Sequence, residues 1–145
     1  MTYEDIPKVD LWLKITLGSV LFLTLTLGVF YLFSDIAAAS TMFGLTIFDA
    51  LLFKAIMPRR YQIYSDRVRI VLGGPFALNV PLSDIKWARP ARGVRAFKYW
   101  GLRFATSANN VVEITRRKGL NIVISPSDRD AFLEQLNRVR EGASY

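Results

Sequence analysis

Two long apolar runs follow each other in the first third of this sequence. The 19 residues from Ile15 to Phe33 carry no charge, and the 22 residues from Ile36 to Met57 carry only one acid and one base. At about 1.5 Å of rise per residue, 19 helical residues reach roughly 28 Å, which is close to the hydrocarbon thickness of a bilayer. We therefore predict two transmembrane helices, over about residues 12–33 and 36–57.

Only Ser34 and Asp35 separate the two runs, so the predicted helices form a tight antiparallel hairpin. A backbone that crosses lipid must satisfy its own hydrogen bonds, and a helix does so. A buried hairpin in a soluble bundle is the alternative, but two runs without a polar face leave little to present to water. A cleaved signal peptide is disfavoured, because the leader MTYEDIPKVD is acidic and the first apolar run exceeds the usual length.

Basic residues near the predicted spans indicate which side of the membrane the termini face. Lys8 and Lys14 precede the first span, and Lys54, Arg59 and Arg60 follow the second, whereas the turn between the spans holds a single acid. Because Lys and Arg near span ends favour the cytoplasmic side, we predict a multi-pass inner (plasma) membrane protein with both termini in the cytoplasm. Arg59 and Arg60 would then lie beside anionic headgroups, although setting the topology is sufficient reason for their charge.

The positive charge of the chain is concentrated after the second span. Residues 58–145 hold 16 Lys/Arg against 7 Asp/Glu, whereas residues 1–57 hold 3 against 5. We therefore predict an N-terminal segment with the transmembrane hairpin over 1–57 and a basic cytoplasmic domain over 58–145. Cysteine is absent, which excludes disulfides and thiol chemistry.

The hydrophobic period changes from helix to strand after Pro58. Apolar and polar residues alternate around Tyr61 and Ile63, again from Val68 to Leu72, and in several later runs. Two of these later runs flank Lys118-Gly119, where the glycine supplies the positive φ that a hairpin turn commonly needs. The pattern predicts about six or seven short strands.

The segment SPSDRDAFLEQLNRVREG, residues 125–142, is typical of an amphipathic helix. Ser125 is suited to cap it, Pro126 to its first position, and Asp128 completes a capping-box pattern. The apolar stripe of this helix consists of Phe132, Leu133, Leu136 and Val139. Residues 58–145 are therefore predicted to form a β-barrel or curved antiparallel sheet whose open end is capped by this helix.

This order of strands followed by one helix resembles the pleckstrin-homology-like (PH-like) domains found on small membrane-anchored bacterial proteins. The resemblance lies in YQIYSDRVRIVLGGPFALNVPLSDIKWARP, residues 61–90, and in FATSANNVVEITRRKGLNIVISPSDRDAFLEQL, residues 104–136. It covers nearly all of residues 58–141, and paired spans ahead of the domain also occur in the family. The resemblance implies a fold and a position at the membrane, and it supplies no catalytic residues.

The most unusual segment is ARPARGVRAFKYWGLR, residues 88–103, in which cations alternate with aromatic rings and no acid is present. Such a composition suits a headgroup interface; it equally suits aromatics that cover the sheet beside solvated arginines. Arg67 and Arg69 are added because the resemblance places them near the first hairpin, where eukaryotic PH domains bind phosphoinositides. The candidate lipid- or anion-binding residues are Arg59, Arg60, Arg67, Arg69, Arg89, Arg92, Arg95 and Lys98, and the candidate interfacial aromatics are Phe97, Tyr99 and Trp100.

Asp49 is an acid inside the second predicted span, where insertion of a charge costs about 2.5–3.5 kcal/mol at the helix centre. Three roles stay open for it: a contact with a helix or partner, a tolerated acid near the interface, or proton and ion handling. Lys14, which lies shallower on the first helix, is a candidate cation partner for it. Gly28, Ser40 and Gly44 supply small residues for close helix packing.

Catalysis is not expected from this composition. The chain has no His and no Cys, so ordinary zinc sites, Ser-His triads and thiol nucleophiles are excluded. Gly73-Gly74 lacks the Gly-Lys-Ser/Thr spacing of a phosphate loop, and the aromatics form no RNA-binding signature. We therefore expect no cofactor, no metal, no nucleic-acid partner and no small-molecule substrate.

These patterns together predict a non-catalytic interaction or assembly module anchored in the bilayer. Its partner would be another membrane protein or a second copy of the chain, because PH-like sheets expose edges to which a strand can be added. One alternative is a module that recognises anionic lipid headgroups. Another is an accessory subunit of a membrane transporter or redox complex, held through the hairpin and Asp49.

Overall fold

A computed structural model describes residues 1–91 and 101–143 of the chain and divides it into two compact units. One unit is the segment Leu11–Met57, and the other combines Met1–Asp10 with the chain from Pro58 onwards. The first unit is helical and the second is rich in β-strands. The hairpin is therefore inserted into the β-rich unit, between that unit's first ten residues and its remainder.

The helical unit consists of two helices of 21 residues, α1 (Leu11–Tyr31) and α2 (Ile36–Ile56). Each reaches about 31 Å at helical rise, which is long and apolar enough to cross a membrane. Asp35 caps α2, because its carboxylate accepts hydrogen bonds of 3.0 Å from the backbone N–H groups of Ala37 and Ala38. The two predicted apolar helices are thus confirmed as helices, with ends within about two residues of the expected ones.

The two helices make close contacts at Gly28 and at Thr24. A Cβ placed on Gly28 would lie 2.9 Å from Cε1 of Phe43, so only glycine fits there without movement of the ring. One helical turn further from the connection, the hydroxyl of Thr46 lies 2.9 Å from that of Thr24. This pair fixes the antiparallel register of the hairpin.

The first sheet of the β-rich unit has four antiparallel strands in chain order. They are β1 (Tyr3–Asp5), β2 (Pro58–Ile63), β3 (Arg67–Leu72) and β4 (Ala77–Pro81). β1 comes from the acidic leader and pairs with β2, with Tyr3 opposite Ile63 and Asp5 opposite Tyr61. The sequence prediction grouped the leader with the hairpin over residues 1–57, whereas here Met1–Asp10 belong to the same compact unit as the chain from Pro58.

The second sheet also has four strands, in the order β5, β7, β8, β6. Their bounds are β5 (Ile85–Ala91), β6 (Gly101–Phe104), β7 (Val111–Arg116) and β8 (Asn121–Ile124). A short 3-10 turn, Leu82–Asp84, leads from β4 into β5. β7 and β8 form the predicted hairpin, with Gly119 at φ +94°, but β6 runs parallel to β8.

The expected barrel or single curved sheet is only partly matched by this arrangement. Within residues 1–91 and 101–143 there are eight strands in two separate sheets, and no ladder joins one sheet to the other. The described strands therefore do not close into a barrel. Local alternation identifies strands, whereas the choice of neighbours depends on contacts between distant segments, which is why the sequence pattern does not reveal the parallel pair.

A C-terminal helix, α3 (Arg129–Gly142), packs on the core of the β-rich unit as predicted. Its Phe132 and Leu136 are fully buried, and the ring of Phe132 meets that of Tyr61 edge to face, with centroids 6.4 Å apart. The core is formed mainly by aliphatic residues of both sheets, among them Ile63, Val68, Ile70, Val80, Ile85, Val112, Ile114, Ile122 and Ile124. Residues on the opposite faces of these strands are left to form the surface.

The start of α3 differs from the sequence prediction. The capping residue is Asp128, whose carboxylate accepts a 3.0 Å hydrogen bond from Ala131 N, and the helix begins one residue later. Ser125 is instead fully buried and exchanges hydrogen bonds with Ser107. Pro126 forms an isolated β-bridge with Pro7, which keeps the chain extended there and delays the helix.

The leader is held to the rest of the β-rich unit along its length. The buried carboxylate of Asp5 accepts hydrogen bonds from Ile6 N and Asp128 N, and Lys8 N donates to Ser125 O. Asp10, the last residue before α1, accepts from the hydroxyl of Ser107 at 2.8 Å and from a backbone N–H at 2.9 Å. The chain entering the hairpin is therefore fixed to the β-rich unit up to its final residue.

The chain leaving the hairpin joins the same unit almost without a linker. α2 ends at Ile56 and β2 begins at Pro58, so Met57 is the single residue between them. Since β1 and β2 are hydrogen-bonded neighbours, both ends of the hairpin connect to one sheet.

Candidate functional site

Three predicted cationic residues share the outer face of the first sheet. Val68 and Ile70 of β3 point into the core, so Arg67 and Arg69 point outwards, and Arg60 of β2 lies on the same face. We call the surface formed by Arg60, Gln62, Tyr64, Arg67, Arg69 and Asn79 the basic sheet face. The alternation of the two strands is sufficient to place these side chains together.

At one side of the basic sheet face, a leader acid reduces the positive charge. Glu4 of β1 is opposite Gln62 and accepts a 2.7 Å hydrogen bond from its amide. The second oxygen of Glu4 forms a 3.3 Å ion pair with Arg60, whose side chain is 60% exposed. An exposed pair of this kind is worth about 0–1 kcal/mol, so Glu4 orients Arg60 more than it stabilises the fold.

Arg67 is held at the turn between β2 and β3. Its guanidinium lies 5.2 Å from the centroid of the Tyr64 ring and forms a 3.3 Å ion pair with Asp66. The hydroxyl of Tyr64 in turn lies 3.3 Å from Oε1 of Gln62. Arg67 is 44% exposed, so it remains accessible to a ligand on this face.

Arg69 occupies the middle of the basic sheet face. In register it lies between Gln62 on β2 and Asn79 on β4, and its side chain is half-buried. Its Nε is fully buried and has no hydrogen-bond partner among the described residues. A buried donor without a partner is costly, and guanidinium groups bind carboxylate or phosphate through two parallel bonds. The buried Nε is closed to an external ligand, so Arg69 contributes its positive charge, and not this donor, to the basic sheet face.

The remaining predicted cations lie elsewhere or outside the described residues. Arg59 is exposed beside the β2 bulge, and Arg89 lies on the second sheet, where its guanidinium stacks 3.5 Å from the centroid of the Trp87 ring. Arg89 is also in register with Glu113, a carboxylate that is only 2% exposed. The predicted site residues outside the described part of the chain are Arg92, Arg95, Lys98, Phe97, Tyr99 and Trp100.

The predicted residues of the hairpin fall in different surroundings. Gly28 is buried against Phe43, whereas Gly44 has open space around its Cα and Ser40 is exposed and bonds to its own helix at Ile36 O. Of the three small residues, Gly28 is therefore at the contact between the helices, whereas Ser40 and Gly44 lie on an open side of α2.

Asp49 lies on the stripe of α2 that faces α1. It follows Thr46 by three residues and is partly buried, seven residues or about 10 Å from the end of α2. Lys14 is exposed on α1, and no ion pair joins these two described residues.

Two polar clusters that the sequence patterns do not reveal hold the β-rich unit together. The carboxylate of Asp84 accepts from Arg116 Nε at 2.6 Å and from Lys118 N at 2.7 Å, which ties the 3-10 turn to the β7–β8 hairpin. The hydroxyl of Tyr61 donates to Phe104 O at 2.9 Å and accepts from Ser125 N at 3.3 Å. Each link spans more than 30 residues, so no local pattern could have shown it.

The electrostatics of these clusters follow from their contacts. The backbone N–H of Lys118 and the Arg116 guanidinium hold the pKa of Asp84 below its ordinary value. Burial raises the pKa of Tyr61 well above its ordinary value, and burial with nearby Asp5 and Asp128 raises that of Tyr3. Asp84 is therefore ionised and Tyr61 protonated over the whole physiological range, and both groups act as fixed structural partners.

In the described part of the chain, no group of three or more acidic side chains is close enough together to hold a metal ion. Comparisons with models of protein families, with curated proteins and with solved structures found no match to this chain. The candidate site is therefore defined by its own geometry: a sheet face with three arginines on a β-rich unit that is continuous in sequence with an apolar helical hairpin.

Proposed function

We propose that this chain is a non-catalytic interaction module anchored in the inner membrane, with its hairpin in the bilayer and its β-rich unit in the cytoplasm. The observation that carries the proposal is the insertion of the apolar hairpin between two hydrogen-bonded strands of one unit. The β-rich unit would be of the PH-like kind, a proposal that rests on the order of its strands and its final helix.

The exposure of the hairpin supports a place in lipid. Only 6% of the apolar stretch of each helix is buried, whereas a core helix of a soluble protein is mostly covered. Large side chains such as Phe22, Phe33 and Phe48 are left exposed on the helical unit. In a bilayer these side chains lie in a favourable solvent, and the helical backbone has no unsatisfied groups.

The connection of both ends of the hairpin to the paired strands β1 and β2 supports a topology in which both ends lie on one side of the membrane. Arg60 is four residues beyond the end of α2, so an extended chain places it at most about 14 Å from that end. Lys8 is similarly close to the start of α1. Basic residues at both ends favour the cytoplasmic side, since the connecting turn carries only Asp35.

Single cysteines test this topology, because the chain has none of its own. Ser34 lies in the connecting turn and Ser65 in the exposed turn between β2 and β3, so we would label Ser34→Cys and Ser65→Cys in intact cells with a membrane-impermeant maleimide. We expect labelling of Cys at position 34 only, and labelling at 65 after permeabilisation. Equal labelling of both positions in intact cells would contradict the proposal.

A protein partner is expected to bind at a sheet edge. Among the described strands, β4 is at an edge of the first sheet, whereas the β5 edge of the second sheet is partly occupied by Arg140, which donates to the carbonyls of Ile85 and Lys86. Strand addition at β4 would use backbone hydrogen bonds and would suit another membrane protein or a second copy. A photo-crosslinker at Asn79 on β4 should capture that partner in native membranes, and one at Arg138 on the exposed side of α3 should not.

Recognition of anionic lipid is a second candidate, favoured by the position of Arg60, Arg67 and Arg69 together on the basic sheet face. Cations near an anionic leaflet gain about 1 kcal/mol each. The test compares two triple variants of the β-rich unit, built as residues 1–10 joined to 58–145. Arg60→Gln/Arg67→Gln/Arg69→Gln should lose binding to vesicles containing phosphatidylserine, and the charge-matched Arg117→Gln/Lys118→Gln/Arg138→Gln should keep most of it.

Binding through the basic sheet face should also weaken as salt increases, because exposed charges are screened beyond about 8–10 Å at physiological ionic strength. Equal loss of binding in both triple variants would show a general effect of net charge and would remove the basic sheet face as the site. Binding that does not depend on the anionic lipid content would exclude lipid recognition altogether.

A further inference from the structure

A cleft of about 420 Å³ lies in the β-rich unit, between the 3-10 turn and the last turns of α3. Its floor is apolar and is formed by Leu82 and Ile85, both of which are buried. Polar side chains surround this floor, namely Arg117, Asn137, Arg140 and Glu141. The volume is in the range of small-molecule sites, which are commonly apolar with a few convergent polar groups.

One arginine of the cleft is held through its guanidinium and the other through its backbone alone. Arg117 N donates to the carbonyl of Asp84, and the Asp84 carboxylate is itself held by Arg116 and Lys118. The guanidinium of Arg140 donates to Lys86 O at 3.1 Å. Arg140 is therefore held in place before any ligand binds, which reduces the entropic cost of binding to it, whereas the exposed Arg117 side chain must be ordered by the ligand.

The charges around the cleft favour an anion. Two guanidinium groups are present against one carboxylate, that of Glu141, and against the partial negative charge of about one half at the C-terminal end of α3. Arg117 forms no ion pair with any described residue, since every acid within the described part lies farther than ion-pair distance from it. Among the described residues that line the cleft, the two guanidinium charges exceed the opposing charges.

We infer that this cleft binds a small organic carboxylate, with the carboxylate on Arg117 and Arg140 and a short apolar body over Leu82 and Ile85. A planar carboxylate matches the fork of a guanidinium, and the apolar floor gains from burying hydrocarbon. The inference goes beyond the proposed function and does not depend on it, because the cleft shares no residue with the basic sheet face or with β4.

The experiment uses the full chain in a mild detergent and three probes. Hexanoate has a carboxylate and a short apolar body. Hexanamide has nearly the same shape without the charge, and inorganic phosphate has the charge without an apolar body. We expect saturable 1:1 binding of hexanoate by calorimetry and much weaker binding of the other two. Comparable binding of hexanamide or of phosphate would overturn the inference.

Two variants with the same charge change locate the binding. Arg117→Gln removes an exposed side chain of the cleft and should weaken hexanoate binding at least about tenfold. Arg138→Gln removes an exposed arginine of α3 that does not line the cleft, and it should leave binding unchanged. Arg117→Lys keeps the positive charge but lacks the planar guanidinium, so its affinity for hexanoate should lie between those of the Arg117→Gln and Arg138→Gln variants. Equal binding by the Arg117→Gln and Arg138→Gln variants would overturn the inference.

Discussion

At the scale of residues, the two sheets of the β-rich unit are linked by one tyrosine. Tyr61 belongs to β2, yet its hydroxyl bonds to Phe104 O at the end of β6 and to Ser125 N beyond β8. Its ring packs edge to face on Phe132 of α3. A single side chain thus contacts the first sheet, the second sheet and the final helix.

The Tyr61→Phe substitution should destabilise the β-rich unit by about 1–3 kcal/mol, because buried polar groups lose a partner while the ring still fits. Since burial raises the pKa of Tyr61, the folded state keeps its proton, and this stabilisation is present below about pH 10 and is lost as the pH rises further. Urea unfolding followed by tryptophan fluorescence should show both the loss at pH 7 and a flatter alkaline limb in the variant.

Tyr64→Phe is the matched control for Tyr61→Phe. The hydroxyl of Tyr64 is only half-buried and meets a side chain, Gln62, rather than the backbone of the other sheet. We expect the Tyr64→Phe variant to have a urea midpoint close to that of the wild type. Equal midpoints for both variants would show that the Tyr61 hydroxyl does not link the sheets.

Asp84 gives a corresponding prediction at acid pH. The pKa of Asp84 is lowered in the folded state, so its contribution is present above the ordinary value of about 3.9 and is lost as the pH falls through the lowered pKa. Asp84→Asn should therefore lower the unfolding midpoint at pH 7 and flatten its decrease on acidification. Asp66→Asn, which removes an exposed partner of Arg67, should leave the acid limb unchanged, and an identical profile for both variants would contradict the assignment.

At the scale of elements, the two helices of the hairpin contact each other at Gly28 and at Thr24. Gly28 admits the Phe43 ring, and Thr24 meets Thr46 one turn further along. Small residues that permit close approach are the usual basis of helix packing in lipid, where apolar surface gives no driving force. A Cβ added to Gly44 would have no described neighbour within 4 Å, so Gly44 does not contribute to this contact.

A pair of introduced cysteines can report on the hairpin contact. Thr24→Cys/Thr46→Cys should form a disulfide readily under mild oxidation, because the two hydroxyls are 2.9 Å apart. Adding Gly28→Leu should reduce the yield of disulfide severalfold, since a side chain there displaces the Phe43 ring. Adding Gly44→Leu is the control and should not reduce it. Equal yields in both backgrounds, measured by gel mobility in membranes, would show that Gly28 is not required.

Sequence patterns predict where strands and helices lie better than they predict which distant segments contact each other. Arg67 and Arg69 can be placed on one face because Val68 and Ile70 alternate with them, and the structure has both apolar residues fully buried. Glu4 cannot be placed beside Arg60, which is 56 residues away, because the three residues of β1 carry no alternating signal of their own. The Asp84–Arg116 pair and the β6–β8 pairing escape sequence reasoning for the same reason.

At the scale of the whole molecule, the insertion of the hairpin makes the β-rich unit discontinuous in sequence. The β-rich unit contains 17 Lys/Arg and 10 Asp/Glu residues, whereas the hairpin segment 11–57 contains two basic and two acidic residues. Three of the ten acids, Glu4, Asp5 and Asp10, belong to the leader and bond to the unit they precede. A fragment that starts at Pro58 therefore lacks a strand and is more basic than the complete unit.

The complete unit should fold without its hairpin only if the leader is kept. We compare residues 58–145 alone with residues 1–10 joined to 58–145 through about eight Gly/Ser residues, which span roughly 16 Å on average. The joined form regains β1 and the Asp5 and Asp10 hydrogen bonds, each worth about 0.5–1.5 kcal/mol, so it should be more stable by at least about 2 kcal/mol. A joined form carrying Asp5→Asn and Asp10→Asn should fall between the two in urea denaturation. Equal midpoints for the joined form and the 58–145 fragment would mean that the leader is dispensable, and the same-side connection of the hairpin would then lose its structural basis.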